Sequence, residues 1–220
     1  MKRVIKDTAD GSKTIFVEAL DEHYHSIHGA LAERRHVFIQ SGLNAIEREN
    51  VSILEIGFGT GLNTFITFLE APKFNLEIDY VGVEAYPVSF EEIGKLNYVS
   101  ELNSSEFEPV FSEIHKQKWE FKNKISPVFT LTKRNKLFSE ISDENTYNLI
   151  YFDAFGARVQ PELWTEEIFE IMYKSLKKGG VLVTYSAKGS VRRAMQKVGF
   201  LVEKLPGPPG KREMLRAIKK

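Results

Sequence analysis

The chain reads as an α/β protein built on a mostly parallel, doubly wound sheet, and three observations predict it. Short apolar runs recur at Val51 to Ile56, Ile78 to Val83, Val128 to Thr132, Asn148 to Phe152 and Val181 to Tyr185, separated by segments of helical composition. The first run passes directly into Gly57, Gly59 and Gly61. Glycines there let the backbone turn sharply and let a ligand approach bare amides at a helix N-terminus. The second run ends on an acid, Glu84, about two dozen residues beyond the glycines, where a carboxylate can accept from both hydroxyls of a ribose.

Composition bounds the rest. A chain of 220 residues, 42% hydrophobic and 27% charged, has the size and apolar content of one ordinary domain with a buried core. No apolar run is long enough for a bilayer span, and Met1-Lys2-Arg3 leads into polar residues, so the expectation is a cytoplasmic protein off the membrane. The absence of cysteine removes disulfide and thiolate chemistry. Thirty basic residues balance thirty acidic ones, so any nucleic-acid binding needs local clustering of cations.

In chain order, residues 1–50 precede the first core strand and are expected to form an N-terminal extension or lid packed on a core domain of residues 51–220. Within the extension, Thr14 to Leu20 suits a strand and Gly29 to Gln40 a helix facing the core with Leu31, Val37, Phe38 and Ile39. Between them lie His23, His25 and His28, which follow no metal-ligand spacing and read as polar loop residues, with no metal expected. After the glycine turn, Thr64 to Leu69 is a short helix that Pro72 ends. Ser89 and Glu92 form a capping box for a helix to about Tyr98, and Leu102 to Phe121 is loosely helical. Thr165 caps a helix closed by Lys177, Lys178 and Gly179, and Ser190 caps another that Gly199 stops. Phe200 to Leu205 and Glu213 to Ile218 flank a Pro/Gly turn, a closing hairpin at the sheet edge.

In such a sheet the ligand crevice lies beyond the carboxyl ends of the strands. The candidates are therefore Glu55, Glu84, the segment Lys133-Arg134-Asn135, Asp153 and Tyr185. A dinucleotide fingerprint would need its third glycine at position 62, which is Leu62; the glycine falls at Gly61 instead. The stretch LEIGFGTGLN resembles the first motif, E-x-G-x-G-x-G, of class I S-adenosylmethionine-dependent methyltransferases. The resemblance implies a Rossmann-like sheet of seven strands with an antiparallel last strand, and S-adenosylmethionine as cofactor. It also implies that Glu55, Gly57, Gly59, Gly61 and Asn63 hold the cofactor, with Glu55 near its cationic methionine end. Glu84 would take the ribose, Asn135 would read adenine, and Asp153 would face both the methyl and the acceptor.

A more specific likeness covers Tyr24 to Leu215. YFDAFGARVQPELW, YHSIHGALAERRHVF, VEAYP and SVRRAMQKVGFLVEKLPGPPGKREML are similar to blocks of the methyltransferase domain of MnmC, a bacterial family that modifies the tRNA wobble uridine. Gly156-Ala157 stands where that family often has Ala-Pro, and Asn135 where Asp is commoner. The resemblance implies N-methylation of 5-aminomethyl-2-thiouridine to 5-methylaminomethyl-2-thiouridine by a stand-alone, monomeric enzyme without the family's flavin domain. Asp153 is then the catalytic residue, orienting the amine and taking its proton. The anticodon stem-loop would meet Arg158, Lys188, Arg192, Arg193, Lys211 and Arg212, while Tyr24, Phe155 or Trp164 stacks on the extruded base. The alternatives are a methyltransferase or an aminopropyltransferase-like enzyme acting on a small-molecule amine, for which acids lining the pocket would speak, and a non-catalytic adaptor of the same fold.

Overall fold

A computed structural model describes residues 2–25 and 29–220. Its centre is an eight-stranded sheet in the order β10-β11-β9-β8-β4-β5-β7-β6, comprising β4 (Asn50–Ile56), β5 (Glu77–Val83), β6 (Lys122–Ser126), β7 (Phe129–Arg134), β8 (Tyr147–Phe152), β9 (Leu176–Thr184), β10 (Leu201–Pro206) and β11 (Glu213–Ile218). β7, β5, β4, β8 and β9 run parallel, as their unbroken apolar runs require for strands covered on both faces. β11 is inserted antiparallel between β9 and β10, as expected from the closing hairpin. The sequence pointed to seven strands and the sheet has eight. The extra one, β6, is a polar strand, KNKIS, pairing antiparallel with β7 at the edge, where lysines discourage further pairing and leave no apolar signature.

Helices cover both faces. α1 (Ala30–Arg34) with a π-helical continuation (Arg35–Gln40), α2 (Leu62–Glu70), α4 (Tyr98–Glu101) and α5 (Glu108–Lys116) pack on one face around Phe38, Phe65, Tyr80, Phe111 and Tyr151. α6 (Glu166–Ser175) and α7 (Gly189–Lys197) pack on the other around Phe152, Phe169, Met172 and Met195. The capping box at Ser89 is present, but it opens only the single turn α3 (Phe90–Ile93) before Gly94. Thr165 caps α6 through Ile168 N, whereas Lys177 and Lys178 belong to β9 rather than to the helix end. The N-cap of α7 is Lys188, and Ser190 lies inside the helix.

The N-terminal residues form a small antiparallel sheet of β1 (Arg3–Asp7), β2 (Lys13–Val17) and β3 (Glu22–His23), of which the sequence suggested only the middle strand. Its turns are tied to their surroundings by charged side chains. Asp10 accepts from Ser12 N within the β1–β2 turn and from Leu31 N in the first turn of α1. Arg3 donates to the carbonyls of Tyr86 and Pro87 and pairs with Glu92. This sheet is thereby held against α1 and over the loop that follows β5. No helix among the described residues is long and apolar enough to cross a membrane.

Candidate active site

The chain winds outward from β4 through β5 to β7, then returns to β8 and β9, so the switch in strand order lies between β4 and β8. A crevice opens beyond the carboxyl ends at such a point. Gly57, Gly59 and Gly61 all take positive φ, of 85°, 50° and 69°. At Gly57 a Cβ would lie 2.7 Å from the carbonyl oxygen of Asp153, so the loops after β4 and β8 touch backbone to backbone. Gly61 is the N-cap of α2 and faces the His115 side chain. Between the glycines, Phe58 turns into the core against Gly82 and the ring of Trp119. The turn is anchored on that side, and its amides are paired within the protein: Gly57 N and Phe58 N donate to Val83 O, and Gly61 N donates to Phe58 O. Gly59 N donates to Glu84 Oε2 at 3.0 Å, and Glu84 Oε1 accepts from Tyr86 N.

A chain of buried charges begins one residue before the end of β4. Glu55, 1% exposed, accepts from Asn63 Nδ2 at 2.8 Å and from Thr64 Oγ1 at 3.1 Å. The same Asn63 Nδ2 donates to Asp153 Oδ2 at 2.9 Å. Asp153 Oδ1 pairs with Arg34 at 3.1 Å, and these side chains are only 7% and 3% exposed. Arg34 also contacts Glu33 Oε1 at 3.3 Å and donates to the carbonyl of Tyr24. Glu33 Oε1 in turn meets Lys211 Nζ at 3.2 Å, and that ammonium lies 4.1 Å from the centre of the Tyr185 ring. Tyr185 is fixed by donating to Ala154 O.

Burial dominates the electrostatics. It pushes the Glu55 carboxyl up to about 8, against the hydrogen bond from Asn63 and with the charge of Asp153. It raises Asp153 to about 7, although Arg34 and Asn63 favour the ionised form. Asn63 Oδ1 and Glu33 Oε2 are buried without a hydrogen-bond partner among the described residues. Buried acceptors of this kind call for donors from elsewhere.

These groups line a cavity of about 530 Å³. Of the residues expected from sequence, Glu55, Gly57, Gly59, Asn63, Glu84, Asp153, Tyr24, Phe155 and Lys211 are in its wall. Gly61 is not, because it shapes the start of α2. Asn135 is not either: its Nδ2 donates to the carbonyls of Glu84 and Ala85 and so braces the end of β5. Arg158, Arg193 and Arg212 are exposed and Arg192 is half-buried, all outside the wall. Lys211 was expected on phosphates and instead sits on Glu33. Trp164 was a candidate for stacking and is a core residue, buried against Phe152 and donating to Phe155 O. His25, expected in a polar loop, is buried edge-on to Tyr98, and burial together with the charge of Arg34 holds it well below the usual histidine range; His28 lies outside the described residues.

Sequence reasoning missed Glu33 and Arg34. A signal lay in the adjacent opposite charges, separated by two residues from the buried run Val37-Phe38-Ile39, on a helix expected to face the core.

The wall suits S-adenosylmethionine group by group. Glu55 is a buried carboxyl with no cation beside it among the described residues, and Asn63 Oδ1 lacks a donor; an ammonium would donate to Asn63 Oδ1 and, with a sulfonium, would favour the ionised form of Glu55. Glu84, at the end of β5 and fixed by Gly59 N, stands where a carboxylate would hold a ribose diol.

Comparison with known proteins agrees. A family profile described as S-adenosyl-L-methionine-dependent methyltransferase matches residues 107–220. The tRNA 5-methylaminomethyl-2-thiouridine biosynthesis bifunctional protein MnmC of Paracidovorax citrulli is 30% identical over 93% of this chain, and that of Leptospira interrogans 32% identical over 90%. The chain spans about a third of their length, 34% and 32%. Among solved structures, MNMC2 from Aquifex aeolicus superposes with a TM-score of 0.75 at 24% identity, covering 98% of this chain and 70% of that one. Spermidine synthase from Thermotoga maritima gives 0.56 at 15% identity, covering 100% and 72%, a likeness of fold. With the profile running from α5 to the inserted antiparallel strand, and a cavity whose charges complement the cofactor, the chain belongs to the family of S-adenosyl-L-methionine-dependent methyltransferases.

Proposed function

We propose that this enzyme methylates the primary amine of 5-aminomethyl-2-thiouridine at the tRNA wobble position, yielding 5-methylaminomethyl-2-thiouridine. The observation that carries the reading is the buried Asp153, pushed up to about 7 beside the glycine turn and held by Arg34 and Asn63. A carboxylate so tuned takes a proton from an ammonium near neutral pH and leaves the lone pair free. The relatives' names specify the nucleoside.

S-adenosylmethionine, when bound, supplies a methyl already activated on a sulfonium. The chain's task is then mainly alignment. Glu55 and Asn63 hold the cationic end, Glu84 the ribose, and Gly57 and Gly59 give the backbone room for close approach. Asp153 Oδ2 orients the acceptor and receives its proton; each oxygen keeps a lone-pair direction beyond the one taken by Arg34 or Asn63. Tyr24 and Phe155, packed edge to face with centroids 5.1 Å apart in the cavity wall, offer the surface against which the uridine stacks. Arg158, Lys188, Arg192, Arg193 and Arg212, on the loops after β8 and β9, on α7 and on the β10–β11 hairpin, are the cations for anticodon-stem phosphates. The three-stranded N-terminal sheet serves as the lid over the cofactor.

Aminopropyl transfer is the second reading, favoured by the acids Glu33, Glu55 and Asp153 in the cavity wall and by the spermidine synthase fold. Offering decarboxylated S-adenosylmethionine beside the intact cofactor separates the two. Methyl transfer to hypomodified tRNA from the intact cofactor alone supports the proposal; aminopropyl transfer to a small amine overturns it.

A further inference from the structure

The ammonium of Lys211 is in an unusual place for a surface cation. It reaches from the turn between β10 and β11 into the cavity wall, 3.2 Å from Glu33 Oε1 and 4.1 Å from the centre of the Tyr185 ring. A carboxylate beside an aromatic face is a cage for a cation. The cage is rigid on both sides. Tyr185 is pinned through its hydroxyl to Ala154 O, and Glu33 is buried in α1 with Arg34 on the same oxygen. Its other oxygen, Oε2, is buried and lacks a hydrogen-bond donor among the described residues. The occupant, by contrast, is replaceable, since the Lys211 side chain is 35% exposed at the end of a long flexible stem.

We propose that Glu33 and the ring of Tyr185 form the binding subsite for the protonated primary amine of the acceptor, and that Lys211 holds this subsite here as a placeholder which the acceptor's ammonium displaces. The inference rests on the reading of the acceptor as an amine, and it names the residues that select it. The connection to Asp153 runs through Arg34, which contacts both Glu33 and Asp153. Arg34 thereby couples the amine subsite to the carboxylate that takes the proton. Glu33 selects for charge, and Asp153 removes it.

The test measures binding of two nucleosides to the full chain with S-adenosylhomocysteine present, by calorimetry: cationic 5-aminomethyl-2-thiouridine and neutral 5-methyl-2-thiouridine. The wild-type protein should prefer the cationic nucleoside by about tenfold, the size of one charge-assisted hydrogen bond. In Glu33→Gln the preference should collapse to about twofold or less, while the neutral nucleoside and S-adenosylhomocysteine bind as before; a change in packing alone would weaken all three together. Lys211→Gln leaves the buried residues intact, and the cationic nucleoside should then bind about threefold tighter for want of a competitor. No preference in the wild type, a preference retained in Glu33→Gln, or weaker cation binding in Lys211→Gln would each overturn the subsite. Methyl transfer to hypomodified tRNA is measured separately, so the subsite and the tRNA reading fail independently.

Discussion

Arg34 determines what Asp153 can do. A lone carboxylate at 7% exposure would be protonated and inert, and one in a fully satisfied ion pair would be too weak a base. The competition between burial and the guanidinium leaves Asp153 titrating near 7. A group with a carboxyl raised in this way is protonated below that value and cannot take the amine's proton. Transfer by the wild-type enzyme should therefore fall as pH drops through about 7. Asp153→Asn keeps the hydrogen-bonding shape and removes the base, so kcat should drop by about 10² or more. Cofactor affinity should change little, and the remaining activity should lose the acid limb near 7. A pH–rate profile on both proteins checks this, and a limb that survives in Asp153→Asn assigns it to another group. Asp153 and Glu55 were legible from sequence because each sits at the end of an apolar strand. The Glu33–Arg34 pair was not, because its meaning depends on contacts with Asp153 and Lys211 far along the chain.

The glycine turn is where local backbone and distant site meet. Gly57 takes φ 85°, and a Cβ there would press on the carbonyl of Asp153 at 2.7 Å. Gly57→Ala should thus cost about 1–2 kcal/mol for the left-handed backbone alone, more for the clash, and should displace the base it touches. The expected signature is a lowered melting midpoint together with loss of kcat, read from thermal unfolding and transfer kinetics. A variant with wild-type kcat would mean that the turn does not position Asp153. At this scale the core strands and the inserted β11 were legible, since apolar runs and a Pro/Gly turn announce them. β6 was hidden by its polar edge character, and the early end of α6 by the pairing of Leu176 with Tyr147, whereas Gly94 marks the end of α3 in the sequence itself.

The whole molecule is a covered sheet with a polar cavity beyond its strand ends, and a formal net charge of zero says nothing of what enters it. The proposed RNA face is local, carried by α7 and the closing hairpin. Affinity for tRNA should fall with added salt, and Arg193→Ala or Arg212→Ala should each flatten the slope of log K against log salt by about one. An unchanged slope in both would move the RNA to another surface. The most direct measurement is transfer of labelled methyl from S-adenosylmethionine to bulk tRNA from cells lacking the wobble methylation, followed by nucleoside analysis. The account predicts label in 5-methylaminomethyl-2-thiouridine. Tight cofactor binding with no label in tRNA would contradict it and would leave a small-molecule amine as the acceptor.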